Sequence, residues 1–171
     1  AVRHVHYGAA AAVALRPKIA GRLNDISRIR LSTYAEALTY CGNRAPRSAI
    51  QAQFSLSYGA ACALATGELE PGSYDRKNLE RKAIRSLEAK VELTEDRKLT
   101  KAGKRGATLV IEVAGRKFEH AIDRVTGDPS LPMTRAELLA KFARYSGLPP
   151  DKGRKFLEAP GDGRFAPLSP P

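Results

Sequence analysis

Residues 48–66 constrain the fold more than any other part of the chain. The run SAIQAQFSLSYGAACALAT is apolar on most sides and carries Ala at positions 49, 52, 60, 61, 63 and 65. A helix that is apolar nearly all round is buried on more than one face. Alanine favours the helix intrinsically and lets neighbours approach closely. Gly67 follows as a natural C′ residue. The remaining elements are therefore expected to wrap around this helix.

They follow a mixed pattern. Residues 8–19 predict an Ala-rich helix interrupted near Pro17. In residues 26–32, Ile29 and Leu31 alternate with Arg28, Arg30 and Ser32, the pattern of a half-buried strand. Residues 33–47 are ambiguous, and Gly42, Asn43 and Pro46 make their second half a loop. Residues 73–89 predict a basic helix with Leu79, Ala83, Ile84 and Leu87 as its inner stripe. Strands are expected at 90–94, 108–113 and 117–125, the last two joined by the turn Ala114-Gly115-Arg116. Residues 95–106 form a charged loop between the first two of these. Thr134 and Glu137 make a capping box ahead of a helix that Gly147 and Pro149 stop. This order predicts an α+β two-layer sandwich of helices on a mainly antiparallel sheet, spanning 1–149. Residues 150–171 are Pro- and Gly-rich and are expected to form a tail that is extended or disordered when isolated.

Composition narrows the function classes. A chain of 171 residues with 43% hydrophobic and 27% charged residues is long enough for one self-sufficient core. The net charge is +11, concentrated at 76–105, where eleven Lys or Arg face five Asp or Glu. That surface attracts anions of any kind. Nucleic acid is disfavoured as partner because this stretch lacks the aromatic residues that stack bases. No apolar run reaches the roughly 18 residues that span a bilayer, so no membrane partner is expected. Cys41 and Cys62 lack ligand or disulfide-framework spacing, and a reducing cytoplasmic setting is the default. No Gly-rich phosphate loop follows a strand. A chain that opens at Ala1 directly on Arg3-His4-Val5-His6 is expected to have, or to have lost, sequence upstream.

Three clusters can carry chemistry. In Arg3-His4-Val5-His6, an extended backbone would point both imidazoles to one side, just ahead of a helix at Gly8 whose amides favour anions. Two imidazoles are too few for a metal site, and none is expected; His6 suits proton transfer, and Arg3 suits a carboxylate. In the second cluster, Gln53, Ser55, Ser57 and Tyr58 interrupt the apolar helix, so each is satisfied locally or faces a ligand. The third is Arg44 and Arg47 beside Pro46.

In this order the clusters resemble the C-terminal part of the MmgE/PrpD family, which includes 2-methylcitrate dehydratase, cis-aconitate decarboxylase and iminodisuccinate epimerase. The quoted residues are the His segment leading into the Ala-rich helix, Ala52-Gln53-Phe54-Ser55-Leu56-Ser57-Tyr58, and Gly127-Asp128-Pro129 with Thr134, Glu137-Leu138 and Lys141-Phe142. The resemblance implies a smaller α+β domain that meets a helical domain at the active-site cleft. That helical part is absent from this chain. The resemblance also implies a lyase or isomerase that removes a proton α to a carboxylate of a small polycarboxylic acid, without cofactor. His6 and Tyr58 would be catalytic; Arg3, His4, Arg47, Gln53 and Ser55 would bind substrate. Relatives are commonly homodimers, and this chain alone is expected to be inactive without a helical domain or partner chain. The alternatives are a non-catalytic remnant or interaction domain, and a basic nucleic-acid-binding module.

Overall fold

The computed structural model describes residues 1–158. The chain separates into two compact units, the first Ala1–Val125 and the second starting at Thr126. The boundary read from the sequence, at 149/150, thus lies inside the second unit.

The first unit contains the helix α1 (Arg3–Leu15), continued by a 3-10 turn at Arg16–Ile19, and the strand β1 (Ile26–Thr33). The helices α2 (Ala35–Cys41), α3 (Ala49–Gln53), α4 (Leu56–Thr66), α5 (Arg76–Leu79) and α6 (Lys82–Ala89) follow. Next come β2 (Val91–Glu95), the short helix α7 (Arg97–Lys101), β3 (Ala107–Val113) and β4 (Arg116–Ile122). The four strands form one sheet in the order β2-β1-β3-β4. β1 pairs antiparallel with β3, and β3 with β4 across the expected Ala114-Gly115 turn; β2 runs parallel to β1. A parallel neighbour cannot be reached by a tight turn, and helices α2 to α6 supply the crossover.

Alternation decides which side of the sheet meets the core. Ile29 and Leu31 of β1 are fully buried, as are Leu109, Ile111 and Val113 of β3. The opposite face is polar: Arg28 pairs with Glu92, and the Ser32 and Thr94 hydroxyls lie 2.7 Å apart. On the buried side α1 packs on α4, both Ala-rich where they meet. Gly67 ends α4 in the left-handed region, at φ 89°, as its position after the apolar run predicts.

Several elements differ from expectation: the basic helix predicted over 73–89 is divided into a 3-10 turn at Pro71–Tyr74, α5 and α6, and the charged loop predicted over 95–106 contains α7. The predicted helix 48–66 is broken: Phe54 and Ser55 leave helical geometry, and Ser55 becomes the N-cap of α4. Serine is a strong N-cap because its side-chain oxygen accepts an otherwise unpaired helix amide, here that of Tyr58 at 3.1 Å. In addition, α1 starts at Arg3 rather than Gly8.

In the second unit, α8 (Arg135–Ser146) opens on the expected capping box: the Thr134 hydroxyl accepts from the Glu137 amide at 3.2 Å, and the Glu137 carboxylate accepts from the Thr134 amide at 2.7 Å. The stretch expected to be extended from Pro150 begins instead as the helix α9 (Pro150–Glu158), tied to α8 by the Arg135–Glu158 ion pair. The rest of that stretch, 159–171, lies outside the described residues.

Candidate functional site

The first turn of α1 carries the densest chemistry. The helix separates the two imidazoles, because residues two apart on a helix do not face each other. This corrects the extended geometry expected for Arg3-His4-Val5-His6. His4 is half-buried, with Nδ1 2.6 Å from the Tyr34 hydroxyl. Its ring stacks near that of Tyr40, centroids 6.1 Å apart. His6 is exposed and donates from Nε2 to the Ala1 carbonyl at 3.2 Å. Arg3 and His6, three apart, share one face of that turn. The end of α3 is fastened beside them, where the Val2 amide donates to the Gln53 carbonyl at 3.1 Å. Arg3, His4, His6 and the Gln53 backbone are thus brought together.

Tyr58 is not among them. It is fully buried, and its hydroxyl donates to the Ser73 carbonyl at 2.6 Å. Burial pushes its pKa well up, so it stays a phenol. Tyr58 and the exposed His6 thus sit in different surroundings, and Ser55, Ser57 and Tyr58 have hydrogen-bond partners within the chain. Ser55 caps α4 and donates to the Asn43 carbonyl. Ser57 donates to the buried carboxylate of Glu88 at 3.3 Å. Glu88 also pairs with Arg85, whose guanidinium donates to the carbonyls of Leu79 and Pro46. Together these bonds clamp the loop 42–48 onto α6. Arg47 sits in that loop, its amide donating to the Gln51 side chain at 2.8 Å.

Tyr34 and Tyr40 were not singled out by sequence reasoning. The available signal was an aromatic two residues beyond the strand predicted over 26–32, in a chain only 6% aromatic. Tyr34 is nearly buried, whereas Tyr40 is 64% exposed beside His4. Burial pushes the Tyr34 pKa up to about 12 against the pull of Arg105. Cys41 and Cys62 are free and buried; burial raises Cys41 to about 11. Among the described residues no three or more His, Cys, Asp or Glu cluster as metal ligands would. Among them, too, no helix is long and apolar enough to cross a membrane.

The profile of the MmgE/PrpD C-terminal domain matches residues 1–159. The chain belongs to the MmgE/PrpD family. The match takes in the α1 turn, the sheet and both helices α8 and α9, so the family's C-terminal domain extends through residues that composition alone assigned to a tail. No curated protein matches this MmgE/PrpD domain.

Proposed function

We propose that this domain supplies part of a lyase or isomerase site that removes a proton α to a carboxylate of a small polycarboxylic acid. The observation that carries the reading is the shared face of Arg3 and the exposed His6 on the first turn of α1, in a chain of this dehydratase-like family. An anchored carboxylate on the Arg3 fork sets the adjacent carbon beside the His6 imidazole. His6 takes the proton, and negative charge grows on the carboxylate oxygens that Arg3 faces. Cationic donors aimed at developing charge are the main source of stabilisation for such intermediates. Collapse then expels a β-hydroxyl, which takes up the proton held by His6 and leaves as water, or the α carbon regains a proton on its opposite face from a donor in the remaining walls. His4, held by Tyr34, and exposed Tyr40 border the same turn and hold the substrate's other polar groups. The remaining walls come from a helical domain or partner chain, and the assembled enzyme is a homodimer.

The test is deuterium exchange from solvent into the carbons α to the carboxylates of citrate-like acids, with the helical domain of a relative supplied. Exchange is expected with the native chain and lost in His6→Asn. Exchange that survives His6→Asn and Arg3→Gln overturns the reading.

A further inference from the structure

We propose that the pocket between the start of α2 and the loop from α7 to β3 binds a compact dianion, a short dicarboxylate or phosphate ester, apart from the α1 turn. The pocket has a volume of about 220 Å³ and is lined by Tyr34, Glu36, Leu99, Gly103, Lys104 and Arg105 among others. That is below the roughly 300–1,000 Å³ of sites for drug-sized molecules, so a small ligand fits.

Its backbone is fixed on both sides. The Asp96 amide donates to the Thr33 carbonyl at 2.7 Å, and the buried Thr33 hydroxyl donates to the Gly106 carbonyl at 2.6 Å. Both ends of the segment that bears α7 are thereby fastened to the end of β1. Across the pocket, the Thr100 hydroxyl accepts from the Ala35 amide at 3.0 Å. The Gly103 and Lys104 amides donate to the Thr100 and Leu99 carbonyls, closing the turn at the rim. Gly103 takes φ 60° there, with open space where a side chain would project. A ligand therefore orders only the side chains of Lys104 and Arg105, and a pre-shaped site loses less entropy on binding.

The charges favour an oxyanion. Lys104 and Arg105 outnumber Glu36. The Arg105–Glu36 pair is long, at 3.9 Å, with both side chains about half exposed. Solvent-screened pairs of this kind are weak, so a ligand that presents two oxygens to the guanidinium fork displaces Glu36. Leu99 and the Tyr34 ring give the carbon skeleton an apolar wall. Tyr34 also joins the pocket to the α1 turn through its contact with His4. An anion on Arg105 cancels part of the pull that this guanidinium exerts on the Tyr34 hydroxyl.

Titration of the isotope-labelled full chain with inorganic phosphate and with succinate tests the site by NMR. Saturable shifts are expected at the amides of Gly103, Lys104 and Arg105, with a smaller response at His4. The double variant Lys104→Gln/Arg105→Gln should weaken binding about ten-fold or more, while Glu36→Gln should tighten it. Tighter succinate assigns a dicarboxylate, and tighter phosphate assigns a phosphate ester. The proposal is overturned if neither probe gives saturable shifts at 103–105, if the double variant binds as the native chain does, or if all responses are confined to residues 3–6.

Discussion

An added Cβ on Gly59 of α4 would lie 2.3 Å from Cγ1 of Val5 on α1. The two helices meet there with no room for a methyl group, one residue before His6. Val5 cannot swing aside, because its β-branched side chain is buried and confined to few rotamers. Gly59→Ala is therefore expected to destabilise the domain by about 1–3 kcal/mol, read as a shift in urea midpoint. Val5→Ala in the same chain should recover part of the loss. Strict additivity of the two substitutions would show that the contact is not the cause.

Tyr58→Phe removes the donor to the Ser73 carbonyl in a fully buried setting. It should reduce stability by about 1–3 kcal/mol and leave the response of the α1 turn to citrate unchanged. Ser55→Ala, which removes the cap of α4, should destabilise by about 0.5–2 kcal/mol with the same lack of effect on ligand. A citrate response abolished by either, in a folded variant, would return these residues to the site.

Glu88 gives a pH signature of opposite sign to the usual carboxylate. Burial raises its pKa above 4.5, against the pull of Arg85 and Ser57. Its folded state therefore holds the proton more tightly than the unfolded chain does. The stabilisation linked to that proton is complete below pH 4.5 and is lost as pH rises through the folded value. Glu88→Gln should remove this dependence. The difference in urea midpoint between native and variant chains, followed from pH 4 to 7, should change in the native chain's disfavour as pH rises. Parallel curves would refute the assignment.

Tyr34→Phe should free the His4 ring from its 2.6 Å partner. The measurable result is averaging of the His4 ring resonances, with the sheet amides unmoved. A His4 ring that stays equally ordered would mean that packing against Tyr40 alone holds it.

Much of the fold was legible because burial alternates along β1 and β3 where apolar residues alternate with polar ones. The capping box at Thr134 was legible because both partners lie within one turn of sequence. The break at Ser55 was less so: one serine in an apolar run either bonds back to its own helix or caps a new one, and the choice depends on Asn43 twelve residues away. For the site, Arg3, His4 and His6 stood out by type, but their directions followed from a helix start that no capping residue announces, since α1 has Val2 as its N-cap. The bond of Tyr58 to the Ser73 carbonyl was not legible, because that partner is a backbone atom and leaves no mark in composition.

The lone parallel pairing in the sheet has a kinetic corollary. β3 and β4 can zip through a two-residue turn, whereas β2 reaches β1 only after all of α2 to α6 has been laid down. Loop closure of that length is slow to be rewarded by contacts. The Tyr34 and Arg105 walls of the pocket meet where the end of β1 pairs with the start of β3, Thr33 opposite Ala107, so the pocket comes into being with that long-range pairing. A small anion that settles there would act as a latch on the finished product, slowing the parting of β1 from β3 while leaving the speed of the early hairpin untouched.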